Sequence, residues 1–429
     1  MKEYRKAFGD WFEMVGVTCP VCGHKGHCLI NQAQTEVACT RVREWNGQSG
    51  IPMGSAGFKF SLTREQQAPS QELITYQQEA DVPQYRIRTH KQLDIIYRSV
   101  LKHTVNREKF TGVIDDLHRR GLSDMTIERW QITPVAGLVL ASCTDRDAND
   151  VQHLYLRDET ENFNGFNYAD WFVKDRIPEN AWQGVPGFYQ WHFTDNDGVE
   201  KDTAVFYLPQ SKAEAQPVFA GFKQKQEKVP YYNPDAMDKD YFIPCQDIDG
   251  NVFAMQVRHR DPKFGKYTWV SSSGRDYGTQ VQTGVNVALV PSLDRKRRTT
   301  AAHQWLHNTP KTVILTEGVL KAIVAAEHLE QVYSAKERQQ LGNVILGNGG
   351  VTQWKQFLPV LKELKAVNVV VAYDMDYQGK EQVAQAQAEL IDALKAEGYH
   401  VAVAHWDPKD KGIDDALQHG QRLDLEYLQ

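Results

Sequence analysis

Two segments near the C-terminus place acidic residues directly after apolar runs. The run VILT at 313–316 leads to Glu317, and the run VVVAY at 369–373 leads to Asp374 and Asp376. Short β-branched runs of this kind are typical of buried parallel strands. The carboxyl ends of such strands face the ligand crevice of an open α/β sheet. Three carboxylates at one point repel one another, so we expect a divalent cation there, and all-oxygen ligation suits Mg²⁺ or Mn²⁺.

A third acidic group lies in the segment KGIDD at 411–415. The order Glu-Gly, Asp-x-Asp and then an acidic pair resembles the Toprim domain of primases, topoisomerases and some nucleases. The resemblance covers roughly 311–420. Taken singly, carboxylates at strand ends are often helix N-caps or solvated loop charges. The ordered set of three groups favours a metal site over that alternative.

The Toprim resemblance implies roles for individual residues. Glu317 would act as acid/base or as a metal ligand. Asp374 and Asp376 would hold Mg²⁺ or Mn²⁺ beside phosphates, with Asp414 completing the set. Lys321 lies about one helical turn beyond the Glu-Gly pair, where its charge is expected to neutralise phosphate.

Four of the six cysteines lie in the first forty residues. Their spacing is C-x2-C-x5-C-x10-C, at Cys19, Cys22, Cys28 and Cys39. Two thiolates so close in sequence fit one tight knuckle, and the second pair completes a tetrahedron around Zn²⁺. Nothing in the sequence indicates secretion, so disulfides are not favoured. His24 and His27 lie inside the knuckle, and either is an alternative to Cys28 as a ligand.

Basic and aromatic residues follow the last cysteine. Arg41 comes first, and Trp45 and Phe58 lie further along. An exposed arginine beside aromatic residues on a small zinc ribbon suits single-stranded nucleic acid, through phosphate contacts and base stacking. Alternatively, Trp45 and Phe58 form the core of the ribbon. The two interpretations are compatible.

The charge of the chain is unevenly distributed. A length of 429 residues predicts two or three domains, and the net charge is −6. The stretch 257–300 carries nine Lys or Arg against three Asp, a net charge of +6, whereas 311–429 carries twelve against seventeen Asp or Glu, or −5. A basic stretch beside an acidic metal-binding domain fits an enzyme that acts on phosphates. No apolar run is long enough for a transmembrane helix and the N-terminus lacks a signal-peptide core, so we expect no membrane partner and a cytoplasmic location.

Changes in composition and periodicity predict a multidomain α/β protein. The predicted parts are a β-rich zinc ribbon (1–62), a polar linker (63–92), a small helical unit (93–133), a basic mixed α/β subdomain (134–310) and a Rossmann-like Toprim domain (311–429). The helical unit is expected to pack under the subdomain that follows it.

A hairpin is predicted within the basic subdomain. The Asp-Gly pair at 249–250 separates two apolar runs, which is a strong hairpin signal. The second run ends at Arg258, and Lys266 and Tyr267 follow. This arrangement resembles the N-terminal subdomain of DnaG-type primases. The resemblance implies that Arg258, Arg260, Lys266 and Tyr267 line a basic groove that contacts template and nucleotides.

The order of these parts resembles a DnaG-type primase encoded by a phage, a plasmid or another mobile element. The resemblance implies synthesis of short RNA primers on a single-stranded DNA template from nucleoside triphosphates, with structural Zn²⁺ and catalytic Mg²⁺ or Mn²⁺. The sequence has no Walker A motif and no helicase domain, so a separately encoded helicase or polymerase is expected as a partner. Two other functions remain open: a Toprim nuclease or defence effector, and a non-catalytic DNA-binding replication accessory protein.

Overall fold

The chain forms two compact units in a computed structural model, Met1–Val82 and Pro83–Gln429. The structure describes residues 4–8, 11–31, 33–53, 56–63, 84–102, 111–135, 172, 175–194, 200–206, 240–259, 265–375 and 381–428. Within these ranges, no helix has both the length and the apolar character needed to cross a membrane.

The first unit is built on an antiparallel sheet with the strand order β1-β2-β3-β4-β8-β7, beside a small β5–β6 hairpin. The strands are β1 (Tyr4–Phe8), β2 (Trp11–Met14), β3 (Leu29–Asn31), β4 (Glu36–Cys39), β5 (Glu44–Trp45), β6 (Gln48–Ser49), β7 (Ile51–Pro52) and β8 (Phe58–Ser61). Val37 and Phe60 are paired across β4 and β8, and both are buried with Phe12 and Ile30. The apolar core is small, as expected for a unit that relies on metal as well as on packing.

Three helices open the second unit: α1 (His90–Lys102), α2 (Thr111–Arg119) and α3 (Asp124–Trp130). Ser123 begins α3, and its hydroxyl accepts a hydrogen bond from the Thr126 amide at 3.3 Å. Gly121 has a left-handed backbone (φ +80°) between α2 and α3, which glycine adopts without strain. The apolar face of α1, including Leu93 and Tyr97, is buried in the same core as the strands that follow. The helical unit therefore packs on the next part of the chain, as predicted.

An antiparallel sheet with the order β14-β13-β12-β9 follows, and β10 and β11 form a separate pair. The strands are β9 (Thr133–Pro134), β10 (Phe188–Thr194), β11 (Glu200–Phe206), β12 (Tyr241–Gln246), β13 (Val252–Arg258) and β14 (Tyr267–Trp269); a 3₁₀ turn spans Glu179–Trp182. The predicted Asp-Gly hairpin joins β12 to β13, with Gly250 at φ +81°. The hairpin prediction is confirmed, and it places Arg258 opposite Tyr267 on β14.

The last sheet has the order β15-β17-β16-β18-β19-β20. Its strands are β15 (Asn286–Leu289), β16 (Lys311–Glu317), β17 (Val344–Asn348), β18 (Ala366–Val371), β19 (His400–His405) and β20 (Asp424–Leu428). Its helices are α4 (Pro291–Asp294), α5 (Thr300–Asn308), α6 (Val319–Val332), α7 (Ala335–Leu341), α8 (Phe357–Glu363), α9 (Glu381–Ala396) and α10 (Ile413–Gln418), with a 3₁₀ segment at Val351–Gln356. The four central strands are parallel, and the two outer strands are antiparallel to them. β15 lies within the predicted 134–310 subdomain, yet it pairs with β17 of this sheet, and its four residues are all buried.

Both faces of the parallel sheet are covered. Val313 and Leu315 point to one apolar cluster, whereas Ile314 between them points to the other. The chain runs from β16 to β17 on one side and returns to β18 on the other side. The order therefore reverses at β16, and the crevice outside the carboxyl ends of β16 and β18 is where ligands bind in sheets of this type.

Candidate active site

The acidic residues at the ends of β16 and β18 lie at the same edge of the sheet. Leu315 on β16 is level with Val371 on β18, so Glu317 and Asp374 follow at the same edge. Gly318 has φ +92° and begins α6, and its amide donates to the carbonyl of Asn348 at 2.9 Å. The left-handed backbone at this turn favours glycine. The predicted strands are confirmed, and they bring the two carboxylates to the predicted crevice.

Lys321, on the first turn of α6, is the counter-charge of these carboxylates. Its ammonium group pairs with Asp374 Oδ1 and lies 3.7 Å from Glu317 Oε1. Lys411 Nζ lies 3.5 Å from the other oxygen of Asp374, and the Met375 amide donates to the Lys411 carbonyl at 2.9 Å. The Asp374 side chain is only 5% exposed, so its charge is held by these two lysines rather than by water.

Asp414 approaches the same place from the first turn of α10. A methyl group on Gly412 would lie 2.3 Å from Asp414 Oδ1 and 3.3 Å from Asp374 Oδ1, so both carboxylates border this glycine. Asp414 Oδ1 is buried, and the described residues offer it no hydrogen-bond partner. Burial raises the pKa of Asp414 to about 6; the charge of Lys321 opposes the shift, and the charge of Asp374 adds to it.

Glu317 is also perturbed. Burial raises its pKa to about 7, with Lys321 opposing the shift and the neighbouring Asp374 carboxylate reinforcing it. A carboxylate whose pKa is raised by burial and by a neighbouring carboxylate is typical of functional sites. However, the carboxylates do not converge as a set of metal ligands would. No choice of one oxygen from each of Glu317, Asp374 and Asp414 places all three atoms within 4.8 Å of one another. Lys321 stands among them, and the predicted ligand Asp376 lies outside the described residues. The Mg²⁺ or Mn²⁺ assignment therefore stays a prediction.

Basic side chains from the antiparallel sheet adjoin the acidic edge. Burial lowers the pKa of Lys266, and four neighbouring positive charges lower it further. These charges belong to Arg120, Arg258, Lys321 and Lys411. The effect of Lys321 and Lys411 on the pKa of Lys266 indicates that Lys266 lies near the two lysines of the acidic edge.

Tyr267 lies where the acidic and basic groups meet. Burial raises its pKa; the charges of Arg120 and Arg258 oppose this, and the charge of Asp414 adds to it. Lys266 Nζ lies 5.7 Å from the centre of the Tyr267 ring. The predicted residues Arg258, Lys266 and Tyr267 thus lie close to the predicted catalytic residues, whereas Arg260 lies outside the described residues.

A hydrogen-bond and ion-pair network around Asp116 adds residues of the helical unit to the basic side of the site. This network was not predicted from the sequence. Asp116 Oδ2 accepts hydrogen bonds from Arg120 Nε at 3.1 Å and from the Tyr241 hydroxyl at 3.0 Å, and Arg258 Nε lies 3.6 Å away. Burial acts to raise the pKa of Asp116, but the charges of Arg120 and Arg258 outweigh it and the pKa is lowered. The one sequence signal was the i, i+4 spacing of Asp116 and Arg120 on a helix end.

The four predicted zinc ligands lie together in the first unit. Cys28 Sγ is 3.7 Å from Cys22 Sγ and 3.7 Å from Cys39 Sγ, and all four sulfurs lie within 4.8 Å of one another. A tetrahedral ion with Zn–S bonds of about 2.3 Å requires sulfurs about 3.8 Å apart. The amide of Arg41 also points to Cys39 Sγ at 3.5 Å. The cluster fits Zn²⁺.

The histidine alternatives to Cys28 are not in this cluster. His24 Nδ1 hydrogen-bonds to the Cys22 carbonyl at 2.7 Å, and the side chain of His27 is 70% exposed and 4.0 Å from Glu13. Cys28 is fully buried among the other cysteines. The structure therefore favours the four-cysteine ligand set.

The predicted nucleic-acid contact of the first unit has both properties that the sequence suggested. Arg41 is exposed, and its guanidinium lies 3.5 Å from the Gly26 carbonyl. Trp45 and Phe58 are partly buried against the core, with Trp45 packing edge-on to Phe60 at 6.1 Å. The aromatic residues therefore contribute to the core, and the role of Arg41 stays a prediction.

Comparisons with known proteins relate parts of the chain to primases at low identity. A family model described as "Domain of unknown function (DUF3854)" matches residues 303–422. No curated protein matches the chain in sequence. A DnaG primase catalytic domain bound to ssDNA is 13% identical, with a TM-score of 0.36, over 78% of this chain and 80% of that chain. The catalytic core of the Escherichia coli primase is 13% identical, with a TM-score of 0.35, over 72% and 69%. The zinc-binding and RNA polymerase domains of the Aquifex aeolicus primase are 12% identical, with a TM-score of 0.38, over 96% and 77%. At these values a functional interpretation depends on the residues of the site.

Proposed function

We propose that this protein is a DnaG-type primase, which joins ribonucleotides into short primers on a single-stranded DNA template. One observation carries the proposal: the acidic edge of the parallel sheet adjoins the basic side chains of the antiparallel sheet. The charges of Asp414 and Arg258 both act on the pKa of Tyr267, in opposite directions. The positive charge of Lys321 contributes to lowering the pKa of Lys266. Such a site combines oxygen ligands for a cation with positive charges for phosphates.

The acidic side fits Mg²⁺ or Mn²⁺ by the chemistry of its donors. The carboxylates of Glu317, Asp374 and Asp414 are the hard oxygen ligands that these ions prefer. The buried oxygen of Asp414 without a described partner is a group that a cation would satisfy. Asp376 is proposed as a further ligand. When bound, the ion supplies neutralisation of the charge that develops on the transferred phosphate and on the pyrophosphate.

The residues of this chain would position the reactants and move one proton. The 3′-hydroxyl oxygen bonds to the α-phosphorus of the incoming triphosphate, the bond to pyrophosphate breaks, and the hydroxyl proton passes to a base. Glu317 is proposed as that base, because its pKa of about 7 is near the pH at which it must work. Lys321, Lys411 and Lys266 would contact the triphosphate as point charges.

The remaining basic groups would hold the template. Arg258 and Arg120 are fixed by Asp116, so their guanidinium groups are held in place before DNA binds. Arg41 and the Zn²⁺ ribbon are proposed to contact template bases or phosphates from the first unit. A separately encoded helicase or polymerase is proposed as the replication partner.

The proposal is tested with the full chain, unprimed single-stranded DNA, labelled ribonucleotides and Mg²⁺ or Mn²⁺. We expect short RNA whose appearance requires the DNA. Asp374→Asn should lower the rate by on the order of 10²-fold or more, because it removes a charge at the centre of the site. Asp392→Asn, an exposed carboxylate on α9, is the matched control and should leave the rate unchanged.

Two results would overturn this assignment. Cleavage of the DNA without RNA synthesis would make the protein a nuclease, and DNA binding with neither reaction would make it a non-catalytic accessory protein. Circular dichroism and thermal melting of Asp374→Asn separate loss of chemistry from loss of fold.

A further inference from the structure

A second cluster of metal-ligating side chains lies on the second unit, away from the acidic edge. Asp249 belongs to the turn between β12 and β13, and His303 and His307 lie one turn apart on α5. The Asp249 Oδ1 oxygen is 3.0 Å from His307 Nε2 and 3.4 Å from His303 Nε2. The two imidazole rings lie 4.4 Å apart, centre to centre. Two ring nitrogens from one helix face thus converge on one carboxylate.

These separations match those between the ligands of one ion. A tetrahedral site with Zn–N and Zn–O bonds of about 2.0–2.1 Å places neighbouring ligand atoms about 3.3–3.4 Å apart. The three ligand atoms also lie within 4.8 Å of one another as a set, which Glu317, Asp374 and Asp414 do not achieve. Two imidazoles with one carboxylate suit a divalent transition metal better than Mg²⁺, which prefers oxygen.

Glu363 is a carboxylate on the other side of the His307 ring. Its Oε1 lies 3.8 Å from Nδ1 of His307, on the side of the ring opposite to Asp249. A carboxylate at Nδ1 fixes the tautomer that leaves Nε2 free to ligate, and it raises the basicity of the ring. At 3.8 Å the two atoms are within ion-pair but not hydrogen-bond distance, so Glu363 would become the outer partner of His307 after a small movement of its exposed side chain.

We propose that Asp249, His303 and His307 form a binding site for a divalent transition-metal ion of the Zn²⁺ type. Glu363 orients His307, and water takes the fourth position, because the side chains of His303 and Asp249 are 59% and 46% exposed. The ion would tie the turn of the antiparallel sheet to α5 and α8 of the parallel sheet. A cavity of about 370 Å³ adjoins the cluster, with Asp249 and Glu363 in its wall.

Cobalt titration of the intact zinc-containing protein tests this site. The four-cysteine cluster keeps its Zn²⁺, so added Co²⁺ reports on a second site by weak visible bands without the strong thiolate charge-transfer band. With excess Mg²⁺ present to occupy the acidic edge, we expect one further equivalent of Co²⁺ to bind and to raise the melting temperature of the second unit. His303→Gln should weaken binding at least about 100-fold, and Glu363→Gln about 10- to 100-fold, the usual range for an outer partner.

The matched control is His405→Gln. His405 Nε2 lies 3.0 Å from Glu426 Oε2, so it is also a histidine with a carboxylate partner, but among the described residues it belongs to no cluster of three ligands. Its removal should leave Co²⁺ binding unchanged. The proposal is overturned if no visible spectrum develops with the native protein. It is equally overturned if His303→Gln and the His303→Gln/His307→Gln pair bind Co²⁺ as tightly as His405→Gln does.

Discussion

Lys321 balances buried negative charge at the acidic edge. Its side chain is 17% exposed, and it pairs with Asp374 and approaches Glu317. Lys321→Met should lower the free energy of unfolding by about 3 kcal/mol, because a buried carboxylate loses one of its partners. Urea unfolding measures the loss, and Mg²⁺ should reduce it by taking over the balancing charge. Lys336→Met, at an exposed position on α7, is the control, and an equal loss with and without Mg²⁺ would contradict the prediction.

Lys311 provides a second test at the residue scale, through pH. The side chain lies at the start of β16, with its residue 8% exposed, and its ammonium group donates to the carbonyl of Leu306 at 2.9 Å and to those of Thr309 and Leu364. Burial lowers its pKa from 10.5 to about 8. Because the pKa of Lys311 is lowered in the folded state, the contribution of this group to stability is complete above pH 10.5. That contribution is lost as the pH falls through 8.

The difference in unfolding free energy between the native protein and Lys311→Met should therefore grow as the pH rises from neutrality to about 10. The variant should be less stable by at least about 1 kcal/mol at the upper end, because it leaves three carbonyls without a donor. Urea unfolding over this pH range measures the difference. A flat difference would mean that the carbonyls hold the charged ammonium as well as water does.

Single residues differ in how far the sequence predicts them. Glu317 and Asp374 could be placed together because strand periodicity and sheet order are simple rules that act over short segments. The role of Arg120 could not be predicted, because it depends on how α2 packs on the antiparallel sheet. The strands of that sheet lie far from Arg120 in the sequence. The same applies to Asp249 and His303, which only the tertiary fold brings within 3.4 Å.

At the scale of elements, the basic stretch at 257–300 does not form one surface. Arg297 is buried and donates to Gln246 at 2.7 Å, and Arg298 pairs with Asp94 at 3.0 Å. These residues hold elements together. The net charge of the segment predicted a phosphate-binding region, but the fold shows that Arg297 is buried and that Arg298, although exposed, is paired with Asp94.

Charge reversal tests which face binds DNA. Arg258→Glu or Lys266→Glu should weaken binding to single-stranded DNA and reduce the log–log salt slope by about 0.7, the value of one phosphate contact on a single strand. Fluorescence anisotropy at several salt concentrations measures both effects. Lys362→Glu on α8 and Lys395→Glu on α9 are exposed controls and should do little. Equal effects at both sets would place the DNA elsewhere.

The zinc ribbon is an element whose fold should depend on its metal. Cys39→Ser removes one of four converging sulfurs, and the small core of the first unit is insufficient without the ion. We expect loss of Zn²⁺ by elemental analysis and loss of the thermal transition of the first unit, with the transition of the second unit unchanged. Full zinc content in Cys39→Ser would contradict the assignment of this ligand. Cys245→Ser, at a buried cysteine away from the cluster, controls for the loss of a thiol.

At the scale of the whole molecule, the two units should separate template choice from chemistry. The second unit has its own continuous core, shared by the helical unit, the antiparallel sheet and the parallel sheet. A protein beginning at residue 83 should therefore fold and extend a pre-annealed primer, if the proposed function holds. It should fail to start primers at preferred sites, because the ribbon is absent. If the shortened protein starts primers at the same sites as the full chain, the ribbon contributes to stability and not to the choice of template sites.

Changes in composition and periodicity predict an order of parts, but they do not predict which strands join one sheet. Composition and periodicity change visibly where the ribbon ends and where the helices begin. Between 134–310 and 311–429 no such change marks the true connection, because β15 crosses from one predicted part into the sheet of the other. Hydrogen bonding between distant strands leaves no trace in local composition.

The two antiparallel outer strands have a consequence for the sheet as an isolated object. β15 covers the edge of β17 and β20 covers the edge of β19, yet the family match at 303–422 begins after the first and stops before the second. A fragment cut at those limits would present two rows of unpaired amides and carbonyls on β17 and β19, whose sequences are VILGN and HVAVAH. Bare edges of this kind recruit strands from other molecules and lead to aggregation. By pairing with the edges of β17 and β19, β15 and β20 thus protect the parallel strands from self-association. This role is separate from any contribution to the site.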